Sequence, residues 1–234
     1  MNKNKLKLKN GFTLAETLIT LGIIGVVAAI TIPNLMATYQ KKQVATQLKE
    51  SYSIIQQAVK LSQDENGEIE AWDTTLNGHN FFNQYIRNFV KWQKEYSSTE
   101  LAQLAPRTLL NGSKYTGTTY TWGNSAHFTL INGAMISMNL NNTVEKGLWV
   151  GIDVNGLSKP NRIGRDTFLF FWSPEYGFRP LGDVGTPSYW NYGTFTREKV
   201  KTSSGLACNK KSSGYWCSAL VVHDGWNLAK DYPW

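Results

Sequence analysis

The sequence predicts an α+β protein in which one long N-terminal helix, partly apolar enough for a membrane, is laid on an antiparallel sheet. Three observations carry this. Twenty uncharged residues, Thr17 to Met36, lie near the N-terminus. Beyond them Val44, Leu48, Tyr52, Ile55 and Val59 recur at helical spacing on one face. After Thr108 the pattern turns to short β-branched and aromatic runs bounded by Gly, Asn and Asp. Helix first and sheet after is the order of an α+β layout.

The 234 residues are 13% aromatic and include nine tryptophans, a composition for a packed, strand-rich body rather than a disordered one. The formal charge is +7, but Lys3, Lys5, Lys7 and Lys9 lie within the first eleven residues. The remaining chain carries only +3 by the same count, no argument for nucleic acid.

Taken in order, the first helix is expected from Leu14 to Asp64, with Asn66-Gly67 as its stop. Pro33 removes a backbone donor and should bend or open it. Residues 78–95 carry Phe82, Tyr85, Ile86 and Phe89 at helical spacing and predict a second helix. TYTWG reads as a strand, HFTLINGAMISMNL as a hairpin around Asn132-Gly133, and GLWVGIDVNG and DTFLFFWS as two further strands. SYWNYGTFTREKVKTSSG reads as a long polar and aromatic loop; ALVVHDGW fits a short helix or a strand equally well.

The N-terminal run is long enough to cross a bilayer, which takes about 20 residues, and the lysines before it hold that end in the cytoplasm. A secretory signal peptide with a Val27-Ala28-Ala29 site, or a plain anchor, leaves Glu16 unexplained, since a carboxylate at the edge of hydrocarbon is costly. The stretch KNGFTLAE followed by the apolar run resembles the leader and helix start of type IV pilins and type II secretion pseudopilins. That resemblance implies cleavage between Gly11 and Phe12 by a prepilin peptidase, N-methylation of Phe12, and an assembly role for Glu16, the fifth residue of the mature chain. Pro33 falls where those pilins commonly kink. Physically, a carboxylate at Glu16 is suited to neutralise the Phe12 amine of a neighbouring subunit, offsetting two burial costs.

Cys208 and Cys217 lie close together, with only His223 near them, which favours one disulfide and an oxidising compartment over a metal site. Two reduced thiols remain the alternative. Asp153, Asn155, Asn161 and Asp166 are oxygen donors about a glycine-bearing turn and form a calcium candidate, although their spacing is not that of an EF-hand loop. The plainer reading is a turn with Asn155-Gly156 at positive φ and Asp166 paired with Arg162 or Arg165. No cofactor is otherwise expected. No G-x-S-x-G, H-E-x-x-H or P-loop is present, and His79, His127 and His223 are isolated in sequence. The aromatic clusters SYWNY and DYPW read as packed residues before they read as sugar or protein contacts.

The expected organisation is a basic leader over 1–11, a transmembrane and polymerisation helix over 12–36, its amphipathic continuation over 37–66, and a pilin-like head over 67–234. The resemblance implies a non-enzymatic subunit of a pilus or pseudopilus in the bacterial cytoplasmic membrane, with its head outside. A head of this size points to a minor or specialised subunit. Its partners would be other pilin or pseudopilin subunits, the prepilin peptidase, an inner-membrane assembly platform and lipid, with nucleic acid not expected. Two alternatives stay open. One is a DNA-uptake pilin gripping DNA through Arg197, Lys199, Lys201, Lys210 and Lys211; the other is a membrane-anchored enzyme.

Overall fold

The computed structural model describes residues 11, 13–115, 125–141, 147–184, 186, 195–202 and 205–234. The expected strand TYTWG and the cluster SYWNY lie outside them. The chain divides into two units, Met1–Lys41 and Lys42–Trp234.

Helix α1 (Leu14–Asn66) continues through Pro33. No residue of it before Ala45 is buried, and Leu18, Ile19, Leu21, Ile23, Ile24 and Ile30 are each more than half exposed. From Ala45 onward one face is buried: Leu48, Ile55 and Val59, interleaved with Ala45, Ser51, Ala58 and Ser62. The small residues let the backbone approach the sheet, and the large ones fill its grooves. The Tyr52 hydroxyl donates to the Phe178 carbonyl at 2.7 Å while its ring stacks on Phe178. The helix stops at Gly67, whose N–H bonds the Gln63 carbonyl at 2.9 Å with φ +82, the left-handed C-terminal cap that glycine accepts at least cost.

Six strands form one antiparallel meander in the order β1-β2-β3-β4-β5-β6. They are β1 (Trp92–Tyr96), β2 (Ala126–Leu130), β3 (Met135–Asn141), β4 (Gly147–Asp153), β5 (Thr167–Ser173) and β6 (Gly177–Pro180). The β2–β3 hairpin turns through Asn132-Gly133, as its sequence predicts, closed by Leu130 N–H on the Ala134 carbonyl at 2.9 Å. Gly156, at φ +67, lies so close to that turn that a Cβ there would sit 2.5 Å from the Gly133 oxygen.

Period-two alternation sorts the strand residues into two cores. Phe168 and Phe170 join Leu148, Val150, Ile152, Ile136 and Phe128 in the cluster that holds Leu48, Ile55 and Val59 of α1. Leu169 and Phe171 face the other way, with Trp149, Ile163 and Leu181. A sheet covered on both faces explains why FLFF, Phe168 to Phe171, is an uninterrupted apolar run.

Two expectations need correction. The second helix does not run over 78–95: α2 (Gly78–Phe81) loosens into a π turn over Phe82–Ile86 and a 3₁₀ turn over Arg87–Phe89, then gives way to β1. Trp92 packs edge-on against Phe82, and Lys94 pairs with Thr129 of β2. A helix continued through these residues would remove the edge strand and its ladder. The loop before the cysteines contains a short helix, α4 (Arg197–Thr202). After α3 (Ser98–Leu104), the last element is α5 (Cys217–His223), which decides ALVVHDGW as helical. The Ser218 hydroxyl of α5 accepts the Leu169 N–H at 2.8 Å.

Ile55 is fully buried beneath the sheet. Ile55→Ala should cost about 2–5 kcal/mol. Chemical denaturation of the detergent-solubilised chain measures it; a loss under a few tenths would mean that α1 is not part of the head's core.

Candidate functional site

The start of α1 is a reciprocal cap. The Thr13 N–H and hydroxyl donate to Glu16 Oε2 at 2.8 and 2.9 Å, and the Glu16 N–H donates to the Thr13 hydroxyl at 3.2 Å. Thr-x-x-Glu is a capping box, a signal present in TLAE that the sequence reading passed over. The carboxylate therefore folds back on its own first turn. Phe12 lies outside the described residues; Gly11 is exposed. The apolar surface that follows has few polar interruptions: the Thr17, Thr20, Thr31 and Thr38 hydroxyls all donate to carbonyls of their own helix.

In the head, Asp153, Asn155, Asn161 and Asp166 do come together, but their carboxylates serve the protein. Asp166 accepts from the Asn161 N–H (2.9 Å), the Arg162 N–H (2.5 Å) and the Asn155 amide (3.3 Å). Asp153 accepts from the Thr167 hydroxyl at 2.8 Å and lies 3.5 Å from the Arg107 guanidinium, both side chains buried. Arg107, 46 residues upstream of Asp153 in the sequence, is the partner that the local motif concealed. Asp166 meets the Arg162 main chain, where a side-chain pair was expected. Gly156 has positive φ, as the Asn155-Gly156 turn predicts. No group of three or more His, Cys, Asp or Glu arranged for a metal occurs among the described residues.

Burial governs the electrostatics here. It lowers the Arg107 guanidinium to about 10 and raises the Asp153 carboxyl, an effect that Arg107 opposes. Burial, with Arg107 adding repulsion, pulls His127 down to about 3. Neutral His127 places its ring nitrogens 3.0 Å from the Ser98 and Ser137 hydroxyls, a satisfied core histidine. Next to Ser98 is a cleft of about 350 Å³ whose wall includes His79, Glu95 and Ser97; His79 Nδ1 lies 2.9 Å from the Glu95 carboxylate.

Cys208 and Cys217 are bonded in the structure. Of the five cations noted around this pair, Arg197 is held by Asp224 (2.9 Å) and Asp231 (2.7 Å), and Lys201 by Asp231 (2.6 Å). The guanidinium and lysine together hold Asp231 well below the ordinary carboxylate range. Lys199, Lys210 and Lys211 are exposed, so the five do not present one continuous cationic face.

Arg107→Met should destabilise the head by about 3–5 kcal/mol, because it strands Asp153 in the core. Asp153 already has a raised pKa, so its folded form binds a proton more readily than its unfolded form; the deficit should shrink as pH falls and Asp153 protonates. Arg107→Met with Asp153→Asn should recover most of the loss. Thermal melts across pH test this, and equal loss in the single and double variants would show that the pair is not what Arg107 supports.

Comparison with known proteins agrees with the helix start. Residues 6–32 match the prokaryotic N-terminal methylation motif. Residues 34–234 match the model of a family of unknown function (DUF6613). No curated protein and no solved structure matches the chain. A methylation motif on a long apolar helix, followed by an α+β head, marks a type IV pilin-like protein, and over residues 34–234 the chain belongs to the family of unknown function DUF6613.

Proposed function

We propose that this chain is a structural subunit, minor or specialised, of a type IV pilus or type II secretion pseudopilus. Its role is mechanical rather than catalytic. Prepilin peptidase cuts between Gly11 and Phe12, the new Phe12 amine is methylated, and the apolar part of α1 stays in the cytoplasmic membrane with the head outside. The observation that carries this reading is an apolar helix surface, exposed from Leu14 to Met36, with one carboxylate, Glu16, at its start. During assembly Glu16 would exchange its Thr13 cap for the Phe12 amine of a neighbouring subunit. Capping contributes about 1 kcal/mol, whereas an unpaired ammonium in hydrocarbon costs several, so the exchange favours assembly.

The mature protein is expected to begin at N-methylated Phe12, which intact-mass analysis from the native host reads directly. A start at or beyond Ile30 would indicate ordinary signal-peptidase cleavage. Glu16→Gln should leave processing, insertion and the head intact while filament yield collapses. Normal filaments from Glu16→Gln as the sole copy would eliminate the pairing mechanism.

A further inference from the structure

A cavity of about 290 Å³ in the head is walled by Arg162, Arg165, Lys210, Asn111, Gly112 and Trp234. None of the three cations forms an ion pair among the described residues, in contrast to Arg197 and Lys201. Asp166, the carboxylate nearest in sequence to the two arginines, is buried and already accepts from two backbone N–H groups and one amide. The Arg162 Nε is buried and has no hydrogen-bond acceptor among the described residues. A buried guanidinium donor ordinarily finds one.

The walls come from four distant segments, each fixed by the fold. Lys210 sits in the ring closed by Cys208 and Cys217, on a turn held by Ser212 N–H on the Asn209 carbonyl and Lys211 N–H on Asn209 Oδ1. The Asn111–Gly112 turn is tied to that ring through Leu110 and Asn111 N–H groups on the Ser213 and Ser212 carbonyls, at 3.0 and 3.1 Å. The Arg162–Arg165 segment is anchored by Ile163 N–H on the Thr108 carbonyl at 2.9 Å. The Tyr232 hydroxyl donates to the Gly164 carbonyl, and Arg165 stacks over the Trp234 ring at 5.0 Å.

We propose that this cavity binds a phosphate group carried on a small body. Three cations lining one cavity exceed what a carboxylate, with one charge and two oxygens, can use. A phosphate monoester carries about −1.5 to −2 charges at neutral pH and offers three acceptor oxygens, which matches two guanidinium forks and an ammonium. The cavity is larger than a bare ion needs, and Trp234, Leu110 and Pro233 supply apolar wall for the carrier. The site is independent of the assembly role proposed for α1.

Titration calorimetry of the detergent-solubilised full chain at fixed ionic strength tests it, with inorganic phosphate and then glycerol 3-phosphate as probes. Saturable binding is expected, weakened roughly tenfold or more in Arg162→Gln and in Lys210→Gln, since a charge-assisted hydrogen bond is worth about 1.5–3 kcal/mol. Lys211→Gln, one residue beyond Lys210 and outside the wall, should bind as the parent does. Lys210 is exposed, so its variant keeps the test valid even if Arg162→Gln misfolds. No saturable phosphate binding, or equal weakening in Lys211→Gln, would overturn the site. A soluble short-chain phosphatidic acid, whose headgroup is also a monoester, separates the sources: displacement of phosphate supports a lipid headgroup, and tighter binding of glycerol 3-phosphate without displacement supports a free monoester.

Discussion

One helix has to satisfy two solvents, and the rest of the chain is arranged around that demand. From Ala45 onward α1 is core, with Leu48, Ile55 and Val59 excluded from water by the sheet. Before Ala45 the same helix shows its apolar side chains to whatever surrounds it. Leaving a large aliphatic side chain in water forgoes about 1.5–3 kcal/mol, so a surface running from Leu14 to Met36 requires lipid or other helices. Thr17, Thr20 and Thr31 in that stretch show the same adaptation, because each hydroxyl donates to a carbonyl of its own helix and asks nothing of the medium.

The capping box changes how Glu16 is understood. A carboxylate at the head of an apolar helix reads as an unsatisfied charge that must find a partner. In the folded chain it already has one, since Thr13 offers two donors to the same oxygen and the helix N-terminus favours negative charge. Under the proposed function, a single subunit would therefore need no neighbour to satisfy this carboxylate. On the proposed processing, what the cap leaves without a counter-ion is the positive charge that cleavage would create at Phe12. In the proposed assembly step the demand for pairing would come from the amine, with Glu16 as its pre-organised acceptor.

What the sequence made legible is local. The α1 face, the Asn66-Gly67 stop, the Asn132-Gly133 hairpin and the strands at 147–153 and 167–173 all follow from period and turn chemistry within a few residues. What escaped it depends on partners far along the chain. Aromatic spacing over 82–89 continued plausibly into KWQKE, but pairing with β2, more than thirty residues later, makes that segment an edge strand. The oxygen cluster at 153–166 resembled a cation loop because Arg107 could not be seen from it. The basic stretch at 197–211 resembled one positive face because Asp224 and Asp231 return to it from beyond the disulfide. The capping box was the exception: it was fully written in TLAE and was masked by the stronger motif overlapping it.

The disulfide illustrates how a small constraint can organise a surface. Its ring spans nine positions, so loop closure contributes only about 2–3 kcal/mol, modest beside a sheet buried on both faces. Its effect is more geometric than energetic. Cys217 begins α5, whose Ser218 takes the Leu169 amide, and a Cβ at Gly164 would lie 2.7 Å from the Cys217 sulfur. The ring is thereby pressed against the loop that carries Arg162 and Arg165, while its own turn holds Lys210. On these energies reduction would loosen the ring and the turn that carries Lys210 more than it would disturb the core. On the proposed phosphate site, the disulfide would matter less to the stability of the head than to the shape of this one surface.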